Sequence, residues 1–492
     1  MPDTFNLAAQ LLDQHLALGR GARPALRYRG ETLTYADVAA LTARAGNGLR
    51  ALGVRAGDRV ALLLPDSPDF VAAFLGALRI GAVPVTLSTL LGAEDYAYLL
   101  EDAGARATIV DPSAVTKTTV ASVAFAALVA GQPVSIETYP TTAEDAAYFQ
   151  YSSGTTGRPK GVVHLHRTGA QPAQLHGRLI AETTADDRTF SVPRLFFSFG
   201  LNNSLLVPLY HGACAILEPA RPNAARVLAT IARERPTLFY NVPSGYAAIL
   251  AAVECGAPAD LTSVRRCVSA GEALPAPIFE RWKARFGLEI LDGIGSTEIG
   301  HICISNVAGR VRPGTSGEVI PGYEAKILRE DGSLAADGVV GDLLVRGPST
   351  AKGYWNKAEA TAHAFRGEWV FTGDRYVRDA DGFFTHQGRS DDMMRVSGLW
   401  VSPLEVESAL LRHPGVRECA VVARVGDEDG LQLPYAFVVA APGVNYRALG
   451  PELHALAQGT LSSYKRPRHI SFVDELPKTS TGKIQRFKLR SR

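Results

Sequence analysis

From Val60 onward, short apolar runs alternate with Ala- and Leu-rich stretches of helical length. Val60-Ala-Leu-Leu-Leu64 reads as a strand and Phe70 to Leu78 as the helix after it; Ala107 to Val110 reads as the next strand. The same rhythm returns at Ala213 to Leu217, Thr237 to Tyr240 and Arg266 to Ser269. Strand and helix taking turns in this way predict βαβ units and a parallel sheet, because parallel strands need a crossover to connect them. Gly317 to Arg346 breaks the rhythm with short strands separated by Gly and Asp turns, which predicts a small β-rich subdomain. After Arg389 the pattern changes again, with a helix over Pro403 to Arg412 and strands over Cys419 to Ala423 and Ala436 to Val439. A domain boundary is therefore placed there, giving residues 1–390 and 391–492, the second a small α+β module.

Composition adjusts this picture only slightly. The chain has 492 residues, 46% of them hydrophobic and 20% charged, which is enough apolar material for several packed cores. Its formal charge of +2 gives no electrostatic footprint for nucleic acid, although the stretch from Lys478 to Arg492 is locally basic. Five cysteines without a C-x-x-C pair indicate neither a disulfide framework nor a zinc site, so a reducing cytoplasm is expected. No run resembles a signal peptide or a membrane span, so no membrane partner is expected.

The chemistry starts at Tyr151-Ser-Ser-Gly-Thr-Thr-Gly-Arg-Pro-Lys-Gly-Val-Val-His164. Tyr148 to Tyr151 predicts a strand that runs into Ser152, Ser153, Gly154, Thr155, Thr156 and Gly157. Such a loop suits phosphate, because glycine admits close backbone approach while hydroxyls and amide N–H groups donate to oxyanions. The P-loop alternative fails, since Lys160 is preceded by Pro159 and followed by Gly161 rather than Ser or Thr. A surface turn is the plain reading of the six central residues taken alone.

The full string resembles the signature loop of the adenylate-forming superfamily, which comprises acyl- and aryl-CoA synthetases, peptide-synthetase adenylation domains and luciferases. Companion strings follow in family order. Asp292-Gly-Ile-Gly-Ser-Thr-Glu298 resembles the second motif, in which Thr297 touches phosphate and Glu298 holds Mg2+. Ser269-Ala-Gly-Glu-Ala-Leu274 resembles the adenine-packing segment and includes Gly271 and Glu272. Thr372-Gly-Asp374 with Gly388-Arg389 resembles the ribose pair, and Pro477 to Arg486 resembles the motif whose lysine, here Lys483, reaches the reacting carboxylate. That last likeness accounts for the basic tail.

The resemblance implies an α/β fold: a large N-terminal domain of two doubly wound α/β subdomains plus a small β-barrel-like subdomain, and a small mobile α+β C-terminal domain turning about Asp391. It implies ATP, Mg2+ and coenzyme A, with Lys483, Glu298 and Thr155 in catalytic roles. Nucleotide contacts would come from Ser152 to Gly157, Lys160, Gly271, Glu272, Asp292, Gly293, Ile294, Thr297, Asp374 and Arg389.

Arg194-Leu-Phe-Phe-Ser-Phe-Gly-Leu-Asn-Asn203, with Ile294 where most of the superfamily carries Tyr, looks like the benzoate:CoA ligase branch. A small aromatic acid would then lie among Ser198, Phe199, Ala270, Gly295, His301 and Ile302. Relatives often carry Ala-Tyr where this chain has Ser198-Phe199, which points to a hydroxy- or aminobenzoate. His301 reads equally well as a pocket donor or as a satisfied core histidine. Arg395, Gly398 and Trp400 are the expected CoA contacts, with solvated charge the plain alternative for Arg395. A carrier-protein phosphopantetheine is the alternative acceptor, a non-catalytic nucleotide-binding module is the disfavoured third reading, and a homodimer is expected by family analogy alone.

Overall fold

The computed structural model describes residues 4–111, 122–152, 158–389, 392–396, 399–425, 432–478 and 484–490. Among them the strands form two large sheets and three small ones. The first large sheet has nine strands, running in space from Glu318–Val319 through Ile302–Ser305, Ile290–Gly295, Arg266–Ser269, Leu238–Asn241, Arg188–Ser191, Cys214–Leu217 and Pro24–Tyr28 to Glu31–Thr34. The second has seven, with Arg59–Leu63 and Val83–Thr86 near its middle. Their central strands pair in parallel and are apolar almost throughout, as strands covered on both faces must be. The βαβ reading of the sequence is met, with strand ends within two residues of the expected positions.

One helix, Pro68–Arg79, is buried on every side. Ser67 caps it by accepting from Phe70 N at 3.3 Å, and Pro68 supplies a first-turn φ without leaving an amide unpaired. Its Phe70, Phe74 and Leu78 share a single core with Leu26 and Ala215 of the nine-stranded sheet and Val60 and Leu62 of the seven-stranded one. The two sheets thus close on a common interior, which fixes the groove between their strand ends. At its crossing with helix Tyr35–Ala51, a β-carbon on Gly76 would lie 2.8 Å from Gly46 N and 2.9 Å from the Ala45 β-carbon.

The small β-rich subdomain is a five-stranded antiparallel sheet built on Glu324–Leu328, Gly341–Arg346 and Trp369–Arg378. Past it, hairpin Met394–Val396/Leu399–Val401, helix Pro403–Leu410, and strands Val416–Val425, Gln432–Ala440 and His469–Phe472 pack helix Tyr446–Thr460 around cores of their own. The expected boundary at residues 390 and 391 lies outside the described residues.

One expectation needs refinement. The strand carrying Tyr148 to Tyr151 is Ala146–Ser152, which pairs in parallel with Val83–Thr86 on one side and antiparallel with Lys160–Leu165 on the other. The Gly-rich segment is short enough to join the strands directly, and a connection of that length allows a hairpin rather than a crossover.

Gly76→Val should lower stability by about 1–3 kcal/mol, because side-chain atoms would enter a helix crossing that has no room for them. The check is the urea midpoint of the nucleotide-free protein; an unchanged or raised midpoint contradicts this packing.

Candidate active site

The hairpin sets Ser152 opposite Lys160, so the Gly-rich segment is its turn. Ser153, Gly154, Thr155, Thr156 and Gly157 lie outside the described residues. Both stems of the turn are tied to one helix, Ala93–Ala103. Tyr151 Oη donates to Asp102 Oδ2 at 2.9 Å, and Tyr98 Oη donates to the Pro159 carbonyl at 3.0 Å. Lys357 Nζ stands 2.8 Å from Asp102 Oδ1, whose side chain is only 6% exposed. The Arg158 guanidinium lies over the Tyr98 ring at 4.8 Å. Asp102 thus holds the stem at Tyr151 and Tyr98 the stem at Pro159.

Lys160 links this hairpin to the second motif. Its ammonium lies 5.1 Å from the centre of the Tyr354 ring, and Tyr354 Oη donates to Glu298 Oε1 at 2.9 Å. Burial, and after it the Glu298 charge, push the Tyr354 phenol well above its ordinary range, so it remains a donor. Tyr354 sits on an edge strand paired with Lys160–Leu165 and faces Val162 in register.

Strand Ile290–Gly295 delivers the second motif. A β-carbon on Gly295 would lie 2.1 Å from the His301 carbonyl oxygen, so only glycine lets the chain double back here. The following turn is held by His164, whose Nε2 is 2.9 Å from the Thr297 carbonyl, and by Ala351 N, which donates to the Glu298 carbonyl at 2.9 Å. His164 stacks on Tyr148 at 4.8 Å, and desolvation lowers it to about 4; the neutral ring therefore donates.

Asp292 is fully enclosed, and burial pushes its carboxyl up to about 8 despite hydrogen bonds from Ser269 and from the Leu274 and Gly293 amides. At neutral pH it is mostly the acid. Leu274 N reaches Asp292 Oδ2 at 3.3 Å, which fastens the Gly271–Glu272 turn to this strand; Gly271 adopts φ +96°, open to glycine at little cost. The charges of Glu407, Asp392 and Glu272 all act on partly buried Arg486, which binds Glu407 at 2.9 Å. The C-terminal tail therefore lies beside the expected adenine segment.

Asp374 and Arg389 face each other across strands Trp369–Arg378 and Phe384–Arg389 at 3.2 Å. Arg389 also donates to the Thr372 carbonyl at 3.0 Å, and His386 Nε2 approaches Asp374 at 3.3 Å. The Arg389 charge is felt at Tyr354, so the expected ribose pair adjoins the Lys160–Tyr354–Glu298 line.

Around the expected acid slot, Phe199 packs 5.9 Å from the His301 ring and edge-on to Tyr240 at 6.2 Å. Ala270, Ile302 and Ile294 belong to the same apolar cluster. Ser198 Oγ donates to the Gly300 carbonyl at 2.7 Å, beside Asn202 Nδ2 on the same oxygen at 2.8 Å. The hydroxyl proton of Ser198 is thus committed to the backbone, leaving its lone pairs for a ligand.

Asp391, Gly398 and Lys483 lie outside the described residues, as do the side chains of Arg395 and Trp400, whose backbones pair across a hairpin. The segment carrying Lys483 is closed at its base by a bridge between Lys478 and Ile484 and by Gln485 N donating to the Pro477 carbonyl at 2.8 Å. Sequence reasoning missed Asp102, Tyr98, Lys357, Tyr354 and His386. His164 and Asn203 did stand inside the strings that were singled out.

The model of the family described as AMP-binding enzyme matches residues 14–355, and that of the AMP-binding enzyme C-terminal domain matches residues 405–483. The chain is 44% identical over 511 residues to a benzoate–CoA ligase of Thauera aromatica, covering 100% of this chain and 97% of that protein. It superposes on the anthranilate CoA ligase AuaEII in complex with anthranoyl-AMP with a TM-score of 0.96 at 42% identity, covering 100% of this chain and 98% of that one. For a benzoate CoA ligase from Burkholderia xenovorans LB400 the TM-score is 0.93 at 41% identity, over 99% and 100% of the two chains.

Asp102→Asn should cut kcat/KM for ATP by roughly ten- to a hundredfold through a misplaced hairpin while leaving KM for the acid substrate nearly unchanged. Steady-state kinetics on protein of unaltered circular dichroism check this; equal losses toward both substrates contradict a loop-positioning role.

Proposed function

The chain belongs to the AMP-binding enzyme family, and from that membership we propose that it is an ATP-dependent aryl-acid:CoA ligase acting on benzoate or a hydroxy- or aminobenzoate. The observation that carries the aryl reading is the Phe199–His301–Tyr240 slot, whose His301 lies in the turn that follows strand Ile290–Gly295 and also carries Glu298. An aromatic ring there meets flat apolar surface and few polar tips, the lining a small aryl group needs.

A carboxylate resists thiol attack because oxide is a poor leaving group. The enzyme first lets the carboxylate attack the α-phosphorus of ATP, forming acyl-AMP and expelling pyrophosphate. Negative charge builds on the phosphoryl oxygens, and preorganised donors lower the barrier most when they already point there. Ser152 to Gly157 and Lys160 supply donors from the hairpin, and Lys483 supplies one from the C-terminal domain. Asp374 and Arg389 seat the ribose, while Gly271, Glu272, Asp292, Gly293 and Ile294 seat the base. No protein nucleophile is needed.

Glu298 suits Mg2+: one carboxylate oxygen accepts the Tyr354 hydrogen bond, and a single carboxylate together with substrate phosphates is the usual way this ion is bound. When bound there, the ion neutralises phosphate charge.

In the second half-reaction the thiol of CoA attacks the acyl carbonyl and AMP leaves. Lys483 then stands in the thiol's route, and rotation about Asp391 withdraws it. Arg395, Gly398 and Trp400 come to the CoA side. The odd cysteine set supports a cytoplasmic setting, and a homodimer is proposed by family analogy.

Lys483→Ala should abolish acid-dependent ATP–pyrophosphate exchange yet spare thioester formation from supplied acyl-adenylate. Equal loss of both half-reactions overturns this assignment. Thioester yield with free CoA against a holo carrier protein decides the acceptor: CoA is expected to be used, and turnover confined to the carrier protein contradicts it.

A further inference from the structure

Behind the aryl slot lies a group of buried polar atoms that the adenylation chemistry does not use. His301 is 3% exposed, and its Nε2 lies 3.1 Å from Asn203 Oδ1. An amide oxygen only accepts, so Nε2 carries the proton and Nδ1 presents a bare lone pair. That nitrogen has no hydrogen-bond partner among the described residues. His176 is 1% exposed, and its ring centre lies 4.6 Å from that of His301, tilted by 59°. Neither of its nitrogens is partnered among the described residues, and Asn203 Nδ2 is likewise unpartnered.

Native interiors pair almost all of their buried polar atoms, so several lone ones in one place call for a reason. Here they gather at one end of the slot, because Phe199 packs against both His301 and Tyr240. His176 and Asn203 also share an uncommon backbone. Each sits on a π-helical segment, Ala173–Ile180 and Asn202–Leu206. Such widened turns are rare and concentrate at functional sites.

Resting on the aryl-acid reading above, we propose that His176, His301 and Asn203 form the polar end of the acid slot and select a ring bearing a hydroxyl or amino group. The chemistry of the three fits a neutral group that both gives and takes. His301 Nδ1 accepts, Asn203 Nδ2 donates, and His176 offers one of each. A hydroxyl or amino substituent matches both kinds, a methyl or chloro group leaves them unpaired, and a second carboxylate would find no cation. Desolvation lowers His176 to about 3 and holds His301 well below its ordinary value, so neither ring supplies a charge near neutral pH. The selective polarity thus lies deeper than Ser198, whose proton is held by Gly300.

The test is kcat/KM for acid-dependent ATP–pyrophosphate exchange with benzoate and with its hydroxy-, amino- and methyl-substituted forms at each ring position. In the unaltered chain the hydroxy or amino acid should exceed its methyl isostere by at least about tenfold at one position, as sites built to pair a polar substituent do. His176→Phe keeps a ring beside His301 and should lower that ratio by about tenfold or more. His176→Gln keeps donor and acceptor and should retain most of it, and this variant decides the matter should the Phe variant fold poorly. Parity between isosteres in the unaltered chain, an unchanged ratio in a folded Phe variant, or loss of the preference in a folded Gln variant overturns the proposal and assigns these atoms to buried solvent. A chain that exchanges pyrophosphate with none of these acids fails differently, because that result removes the aryl-acid reading itself.

Discussion

The side chain of Asp102 anchors the hairpin that carries the Gly-rich segment. A phosphate grip made of Ser, Thr and Gly has almost no side-chain mass to pack, so its position has to come from its stems. Tyr151 on one stem donates to Asp102, and the Pro159 carbonyl on the other accepts from Tyr98 one turn earlier on the same helix. Lys357 closes the group from the edge of the sheet and offsets the carboxylate's charge. With both ends fixed, Lys160 is aimed at the Tyr354 ring, and Tyr354 in turn aims Glu298. The proposed phosphate donors and the carboxylate proposed to hold Mg2+ are thereby placed in one frame, although they come from different sheets.

That frame depends on the packing beneath it. Helix Pro68–Arg79 carries apolar side chains on every face because both sheets rest on it. Removing it from either sheet would separate the hairpin from strand Ile290–Gly295, which leads into Glu298. The ribose pair is placed differently, by register alone, since Asp374 and Arg389 are direct neighbours across an antiparallel ladder. The C-terminal tail is placed by charge: Arg486 pairs with Glu407 and stands in the field of Glu272.

Much of this was legible in the chain, and for a physical reason. Phosphate chemistry needs glycine and hydroxyls close together in sequence, so Ser152 to Lys160 and Asp292 to Glu298 can be recognised as strings. Parallel strands buried on both faces write continuous apolar runs, so the sheets could be read as well. Residues that act through long-range contact left no such trace. Asp102 is an ordinary acidic position on an amphipathic helix, Tyr354 lies in a Gly-Tyr-Trp run with no motif, and His176 shows its meaning only because His301 approaches it from a turn distant in sequence. The hairpin direction was also hidden, because periodicity identifies a strand without saying which way its neighbour runs. Ser198 shows the opposite case: a sequence difference that drew attention proved to be partly occupied with its own backbone.

The most direct measurement is product analysis on the unaltered chain supplied with ATP, Mg2+, CoA and either an aromatic or an aliphatic acid. This account predicts aryl-CoA, AMP and pyrophosphate in equal amounts with benzoate or a hydroxy- or aminobenzoate, and little turnover with acetate or hexanoate. Formation of ADP and phosphate, or equal use of the aliphatic acids, would contradict it.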